Sequence, residues 1–243
     1  GRGFYILDDY SPLRHTDPQL LGREAHIFPI KETLLYTPGR PLGGNGKGSQ
    51  GAAFYTAPNP DFGAIFSVYL RDGLSTRKQL RRKAEKKLID KGEAVPFPSW
   101  DSLRAEDDEK SPYLLLEIRD EEGRMVRALR ESGSQGLRRF NWDLRDMPPY
   151  AARNEPQAGK NGPSGQLVSA GRYSLTVYAV ENGIPRQLAG PEPFVLKALD
   201  NTTMPLAASE ENLAFRRKAF DLSRDARAMN EMVEDILARS RAA

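Results

Sequence analysis

Gly136-Leu-Arg-Arg-Phe-Asn-Trp-Asp-Leu-Arg145 and Ser169-Ala-Gly-Arg-Tyr-Ser-Leu-Thr-Val-Tyr-Ala-Val180 are the two stretches that decide the fold. In both, apolar residues occupy every second position, which predicts β-strands with one buried face and one solvated face. The segment between them is rich in Pro, Gly, Asn and Ala, which favours neither helix nor strand. We expect the two strands to form the centre of a β-sandwich, with these side chains in its core: Phe140, Trp142, Leu144, Tyr173, Leu175, Val177 and Ala179.

The composition sets limits on the protein class. The chain has 243 residues, enough for one or two domains, of which 39% are hydrophobic and 28% charged. The 21 Gly and 18 Pro residues favour strands joined by turns. The formal net charge of +3 is too small to predict nucleic-acid binding from the field of the whole chain. The absence of Cys excludes disulfides, thiolate metal sites and thiol nucleophiles.

The remaining strands extend the pattern over residues 61–200. We count about seven strands from Ala64 to Leu199, which predicts an Ig-like or fibronectin-like antiparallel β-sandwich. Ala64–Leu70 has apolar residues on both faces and is predicted to be a central strand. The expected fold class is therefore mainly β with added helices.

A basic helical insertion is predicted over residues 71–111. Thr76 has the spacing of a capping box with Gln79, and the helix should run to Asp90. Such a helix can bind nucleic acid or anionic lipid. We favour a solvated helix docked by a thin apolar stripe and paired with acidic residues 106–109, since no aromatic residue interleaves with the basic ones. The stripe is Leu80, Ala84 and Leu88, and the basic residues are Arg77, Lys78, Arg81, Arg82, Lys83, Lys86, Lys87 and Lys91.

The end of the chain, residues 208–243, is predicted to form one long helix. Its apolar residues step by four and three, the spacing of a coiled-coil seam. The seam could lie on the sandwich, on another copy, or on a segment outside this sequence, and we favour a partner outside this chain. The expected contact residues for a partner helix are Phe215, Leu222, Met229, Val233 and Ile236.

Two motifs resemble cofactor or metal sites without meeting their requirements. Gly46-Lys-Gly-Ser-Gln-Gly51 fits G-x-G-x-x-G, but the residues that follow favour an extended chain, whereas dinucleotide binding needs a helix there. His15 and His26 have no partner at catalytic or metal-ligand spacing. We therefore predict no cofactor and no metal.

Candidate catalytic carboxylates are Asp8, Asp9 and Asp143, because a glycosidase needs two carboxylates across a cleft. Asp8 and Asp9 are neighbours in a strand and cannot converge. Asp143 should form a structural ion pair near Arg139 and Arg145. Trp142 could stack on a sugar, but its place on the apolar face favours the core. We predict no catalytic residue, so the chain is not expected to be an enzyme by itself. Asn201-Thr-Thr203 is a glycosylation sequon.

Several phrases together resemble one family. Gly1-Arg-Gly-Phe-Tyr-Ile-Leu-Asp-Asp-Tyr-Ser-Pro-Leu-Arg14 resembles the last strand of large bacterial sortilin-like β-propeller proteins, often labelled glycosyl hydrolases for their neuraminidase-type repeats. Ala57–Leu70, Leu116–Val126 and Phe140–Arg145 are similar to their C-terminal region. Trp142-Asp143 together with Ala170-Gly-Arg-Tyr173 resembles the Ig-like module of flagellar hook-capping proteins.

The resemblance implies a non-catalytic Ig-like accessory module behind a propeller, in a secreted or cell-envelope protein. Residues 1–15 would then be a leftover propeller strand and residues 16–60 a linker with short strands. The implied partner is the preceding propeller or another protein chain. A carbohydrate-binding module, or part of a glycoside hydrolase, is the alternative. A nucleic-acid partner is not expected, because the net charge is small. A membrane span is not expected, because no apolar run approaches ~18 residues.

Overall fold

Eight β-strands and five helices make up the part of the chain that the computed structural model describes, residues 9–36, 61–148, 165–199 and 210–242. In chain order they are α1 (Ser11–Arg14), α2 (Pro18–Gly22), β1 (Ala25–Ile27), β2 (Thr33–Leu35), β3 (Ala64–Leu70), α3 (Arg77–Asp90), α4 (Trp100–Asp107), β4 (Tyr113–Asp120), β5 (Met125–Glu131), β6 (Gly136–Trp142), β7 (Gly171–Glu181), β8 (Ile184–Ala198) and α5 (Glu210–Ala242).

The strands form two sheets. One has three strands in the order β1-β3-β6, and the other has five in the order β2-β8-β7-β4-β5. The β1–β3, β4–β5 and β4–β7 ladders are antiparallel, whereas β2 runs parallel to β8. The mainly β fold with added helices is confirmed, and β3 is a central strand as predicted.

The chain divides into two compact units. The first spans Gly1–Lys31, Ile65–Phe140 and Tyr173–Phe194. In it, Phe66 of β3 meets Phe194 of β8 edge to face, with ring centroids 5.4 Å apart. The two sheets therefore pack face to face, as in a β-sandwich. Buried residues of β4 and β7 complete this core: Leu114, Leu116, Ile118, Leu175 and Val177.

The second unit spans Glu32–Ala64, Asn141–Arg172 and Val195–Ala243. Here Thr33 of β2 is in register with Leu196 of β8, and the Leu199 amide donates to the Leu35 carbonyl at 2.9 Å. Beyond β6 the chain pairs with residues 166–168, since the Val168 amide donates to the Leu144 carbonyl at 2.9 Å. These bonds hold the segment after β6 in a defined conformation.

The two strands that decide the fold bury the predicted faces. Phe140, Trp142 and Leu144 are buried, as are all four apolar residues predicted for β7. The first strand is shorter than its pattern suggests, because β6 ends at Trp142 and Leu144 adopts a positive φ of 56°. Leu144 thus reaches the core from a turn.

Strand β8 is longer than predicted. The described residues between Ala64 and Leu199 form six strands rather than about seven, since the single strand Ile184–Ala198 covers two short strands that the sequence predicts at 184–188 and 193–199. Gly190 lies so close to β7 that a Cβ there would be 2.5 Å from the Leu175 carbonyl oxygen. A glycine that interrupts the sequence pattern therefore allows the strand to continue beside its neighbour.

The helices follow their predicted caps. Thr76 and Gln79 form the capping box that starts α3, and the helix ends at Asp90. Helix α5 covers Glu210–Ala242, within the predicted 208–243. Other predictions concern residues outside the described ranges: residues 1–8 of the predicted propeller strand, which include Asp8, the glycine-rich loop at 46–51 and the sequon at 201–203.

Candidate interaction surfaces

Trp142 belongs to the core. Its side chain is fully buried, and its indole Nε1 donates to the Arg145 carbonyl at 2.9 Å. Gly63 packs against its backbone so closely that a Cβ would lie 2.0 Å from the Trp142 carbonyl oxygen. Because neither face of the ring is exposed, Trp142 is not available as a sugar-stacking platform.

Asp143 shapes the turn after β6. Its Oδ1 accepts a hydrogen bond from the Arg145 backbone amide at 3.2 Å. The ion pair predicted with Arg139 or Arg145 is not formed, since the Arg145 guanidinium donates to the Gly165 carbonyl at 2.9 Å and Arg139 donates to the Asp9 carbonyl. The prediction was wrong because both guanidinium groups bind backbone carbonyls, which alternation along a strand does not reveal.

Asp9, the other described carboxylate candidate, is an anchor for the N-terminal segment. Its carboxylate lies 2.8 Å from Lys31 Nζ and accepts from both the amide and the hydroxyl of Ser11. Burial raises the pKa of Asp9, but the hydrogen bonds from Lys31 and Ser11 outweigh it and bring the pKa to about 2. A carboxylate held ionised in this way is suited to a structural role.

The histidines occupy structural positions too. His26 lies in β1, where its ring packs edge to face on Phe28 with centroids 5.0 Å apart. Burial, together with nearby Arg23, lowers the pKa of His26. His15 caps the C-terminal end of α1. Within the described ranges, no three His, Asp or Glu side chains converge as metal ligands.

The helical insertion, α3 and α4 with their connection, is held by charge. Both guanidinium edges of Arg81 are engaged: Nε and Nη2 donate to Glu106 at 2.6 and 2.8 Å, and Nη1 donates to Glu85 at 2.6 Å. The hydrogen bond from Arg81 lowers the pKa of Glu106. Glu109 accepts from the Arg77 amide at 2.6 Å, and Lys78 lies 3.7 Å from Asp107. The predicted pairing with acidic residues 106–109 is confirmed for Glu106 and Asp107, whereas Glu109 binds a backbone amide and not a basic side chain.

The predicted apolar docking of α3 is wrong. No residue of α3 or α4 is buried, and Leu80 of the predicted stripe is 56% exposed. The stripe is too thin to bury, and the Arg81 bonds hold the helix instead. Sequence reasoning also missed Phe97 and Trp100, whose rings lie 6.4 Å apart and are 79% and 72% exposed by residue. The signal was present in Pro96-Phe-Pro-Ser-Trp100, since Pro96 separates this aromatic pair from α3 and Pro98 keeps Phe97 out of α4.

Helix α5 exposes the predicted seam. All five residues that were expected to contact a partner helix are between 53% and 71% exposed. Near the start of the helix, Gln166 Nε2 donates to the Arg216 carbonyl at 2.9 Å, and Arg216 Nη2 donates to the Leu167 carbonyl at 2.7 Å. These two bonds, both within the second unit, fix the beginning of α5 to the segment after β6.

Neither tryptophan lies exposed on a sheet face. Trp142 and Tyr173 are buried, while Trp100, which is exposed, lies on α4. A carbohydrate-binding module would be expected to expose a row of aromatic side chains on one sheet face. The helices among the described residues include none long and apolar enough to cross a membrane.

Comparisons with known proteins assign no family. No family model and no curated protein matches the sequence. The chain is similar to dimeric latent PorU from Porphyromonas gingivalis, seen in a crystal structure, at 14% identity and a TM-score of 0.30. The match covers 58% of this chain and only 9% of that one. A similarity at this TM-score assigns neither fold family nor function.

Proposed function

We propose that this chain is a non-catalytic accessory module, Ig-like in its sandwich, that acts in structural support and protein–protein assembly. The observation that carries the proposal is the exposed apolar seam of α5. The resemblance of the sequence to sortilin-like β-propeller proteins supports a larger secreted or envelope parent, with residues 1–15 as the end of its propeller. In this arrangement the two sheets, to which β1 and β2 also belong, form the sandwich, and α5 provides the contact element.

The spacing of the seam fits a helical partner. Phe215, Leu222, Met229 and Ile236 are seven residues apart, and Ala219, Ala226 and Val233 fall between them at steps of four and three. This is the heptad pattern that buries a and d positions against a second helix. On a single helix these apolar side chains are exposed to water, whereas pairing with a second helix in a coiled coil buries them. The heptad pattern of the seam is therefore complete, but no helix among the described residues packs against it.

The length of α5 makes the contact extensive. Its 33 residues correspond to about 50 Å of helix at 1.5 Å per residue. Since Arg216 and Gln166 fix its beginning, a partner that pairs with the seam would be held in a defined direction. This combination of one fixed end and one long exposed face is suited to joining the module to its own propeller or to another protein chain.

The roles of the candidate carboxylates support a non-catalytic module. Asp9 binds Lys31 and Ser11, and Asp143 binds the Arg145 amide. Both carboxylates therefore bind groups of the protein itself and stabilise local structure. A general acid in a glycosidase instead needs a raised pKa and an open position beside its substrate.

The test is the solution mass of the full chain and of a chain ending at Ser209. Assembly through α5 predicts a mass above that of the monomer that rises with concentration, and a monomer after truncation. Met229→Glu introduces a charge into the seam and should also give a monomer. Ala238→Glu introduces the same charge on the opposite side of α5 and should leave the mass unchanged. A monomer for both full-length and truncated chains would overturn self-assembly through α5.

A further inference from the structure

We propose that the helical insertion, α3 and α4 with their connection, is a peripheral binding site for anionic lipid membranes. The free cations of α3 attract the lipid headgroups, and Phe97 and Trp100 enter the interface between headgroups and acyl chains. The site lies on other elements than the seam of α5, so that its test is independent of assembly.

The first observation is a set of free cations. Arg81 and Lys78 are engaged by Glu106 and Asp107, but the other basic residues of the segment form no ion pair with any described residue, and all are exposed. At 100° per residue, the side of α3 opposite Arg81 carries three lysines. Those three are Lys83, Lys86 and Lys87, and the remaining free cations are Arg77, Arg82, Lys91 and, on α4, Arg104.

The second observation is the use of the acidic residues. Glu85 and Glu106 both bind Arg81, and Glu109 binds the Arg77 amide. These carboxylates lie on the side of α3 where Arg81 is, and Asp90 is the one acidic residue of α3 on the side of the three lysines. The lysine side therefore keeps a net positive charge, and it is the side that an anionic surface would meet.

The third observation is the exposure of large apolar side chains on the same segment. Phe97 and Trp100 are joined by Leu80, Ile89 and Val95 as exposed residues, while no residue of either helix is buried. Trp and other aromatic side chains favour the level of lipid headgroups, where one end is apolar and the other hydrated. Cations combined with interfacial aromatics and aliphatics are typical of peripheral membrane helices. Nucleic acid would use the cations but leave the aliphatic residues in water, which is why the observations favour lipid.

The chain carries its own reporter for this binding. It has two Trp residues, and Trp142 is fully buried with its indole nitrogen hydrogen-bonded. A change in Trp emission on adding vesicles therefore reports on Trp100. We expect a blue shift, and co-sedimentation of the full chain, with phosphatidylcholine vesicles that contain phosphatidylglycerol. Pure phosphatidylcholine vesicles, or high salt, should abolish both effects, because salt screens exposed charges.

Two groups of variants separate the contributions. Each Lys near an anionic membrane strengthens binding about fivefold, so K83Q, K86Q and K87Q together should lower vesicle affinity roughly 100-fold. R217Q, K218Q and R227Q on α5 change the net charge equally and should retain binding. Phe97→Ser should lower affinity roughly 10-fold, the effect of leaving one such side chain in water. Circular dichroism should show all these variants folded, since none of the positions is buried.

Three results would overturn the proposal. One is the absence of binding to phosphatidylglycerol vesicles at low salt. Another is an equal loss of affinity in both triple variants, which would assign the effect to net charge alone. The third is tight binding to RNA or DNA with an unchanged Trp100 emission on vesicles, which would make the insertion a nucleic-acid site.

Discussion

The two tryptophans of the chain lie in opposite environments. Trp142 is fully buried at the end of β6, and Trp100 begins α4 with 72% of its surface exposed. The same contrast separates the sheets from the helical insertion as a whole: β3, β4 and β7 bury their alternate residues, whereas α3 and α4 bury none. The sheets are held by apolar burial and the insertion by hydrogen-bonded charges.

This difference separates stability from interaction. Removing apolar surface from water is the dominant favourable contribution to folding, and the sheets contain nearly all of it among the described residues. Exposed apolar groups on the insertion and on α5 contribute little to stability in the free chain. They are available to a partner or a surface, and changing them should alter binding without unfolding the protein.

The largest effect is expected from a matched pair of substitutions. Trp142→Ala should lower the free energy of unfolding by about 3 to 5 kcal/mol, because it leaves a cavity and removes the indole bond to Arg145. Trp100→Ala makes the same chemical change at an exposed site and should stay within about 0.5 kcal/mol. Denaturant unfolding measures both. Equal losses for the two variants would contradict the division between sheets and insertion.

A second pair examines how closely the chain packs around Trp142. Gly63 has a φ of 136°, and a Cβ there would overlap the Trp142 carbonyl oxygen. Gly63→Ala should therefore cost about 3 kcal/mol, from backbone strain and overlap together. Gly123→Ala also places a side chain at positive φ, 77°, but meets nothing within 4 Å. Gly123→Ala should therefore lower the free energy of unfolding by about 1 to 2 kcal/mol, measured by thermal or denaturant unfolding. If Gly63→Ala is as stable as Gly123→Ala or more stable, the chain does not pack closely around Trp142.

The third prediction concerns pH. The pKa of Asp9 is about 2 in the folded chain, below its ordinary value of 3.8. The stabilisation is therefore complete above pH ~4 and is lost as the pH falls towards 2. Because Lys31 is largely exposed, water screens the pair and we expect about 1 kcal/mol. Unfolding free energies measured from pH 2 to pH 5 should show a steeper slope in the natural chain than in Asp9→Asn, in which Glu106 still contributes. Equal slopes in the two chains would assign the whole effect to other carboxylates.

Much of the sheet architecture could be predicted from the sequence because burial leaves a period of two. Phe140, Trp142 and the β7 residues were correctly assigned to the core by alternation alone. The length of β8 could not be predicted, since Gly190 and its neighbouring prolines are typical of a turn. What keeps the strand continuous is the closeness of Gly190 to the Leu175 backbone, a contact between distant parts of the sequence.

For the helical insertion, the local features could be predicted from the sequence but the exposure of its apolar side chains could not. Its caps and acidic partners are local and were predicted, as Thr76, Gln79 and Glu106 show. Whether Leu80 would be buried depended on a surface elsewhere in the fold, and no spacing within α3 could reveal its exposure. The same holds for Phe97 and Trp100, whose aromatic character alone favours burial.

The smallest effect on global stability is expected from the cap of α3. The Thr76 hydroxyl accepts from the Gln79 amide at 3.2 Å, and Gln79 accepts from the Thr76 amide at 3.0 Å. Thr76→Ala removes the first bond and should destabilise α3 by about 1 kcal/mol. Since α3 has no buried residue, its amides should exchange faster while those of β4 and β7 keep their protection. Hydrogen exchange measures both sets in one experiment, and Thr76→Ser, which keeps the hydroxyl, should preserve the protection of α3. Faster exchange in β4 and β7 would show that the insertion and the sheets unfold as one cooperative structure. The two regions would then differ in the exposure of their side chains but not in their stability.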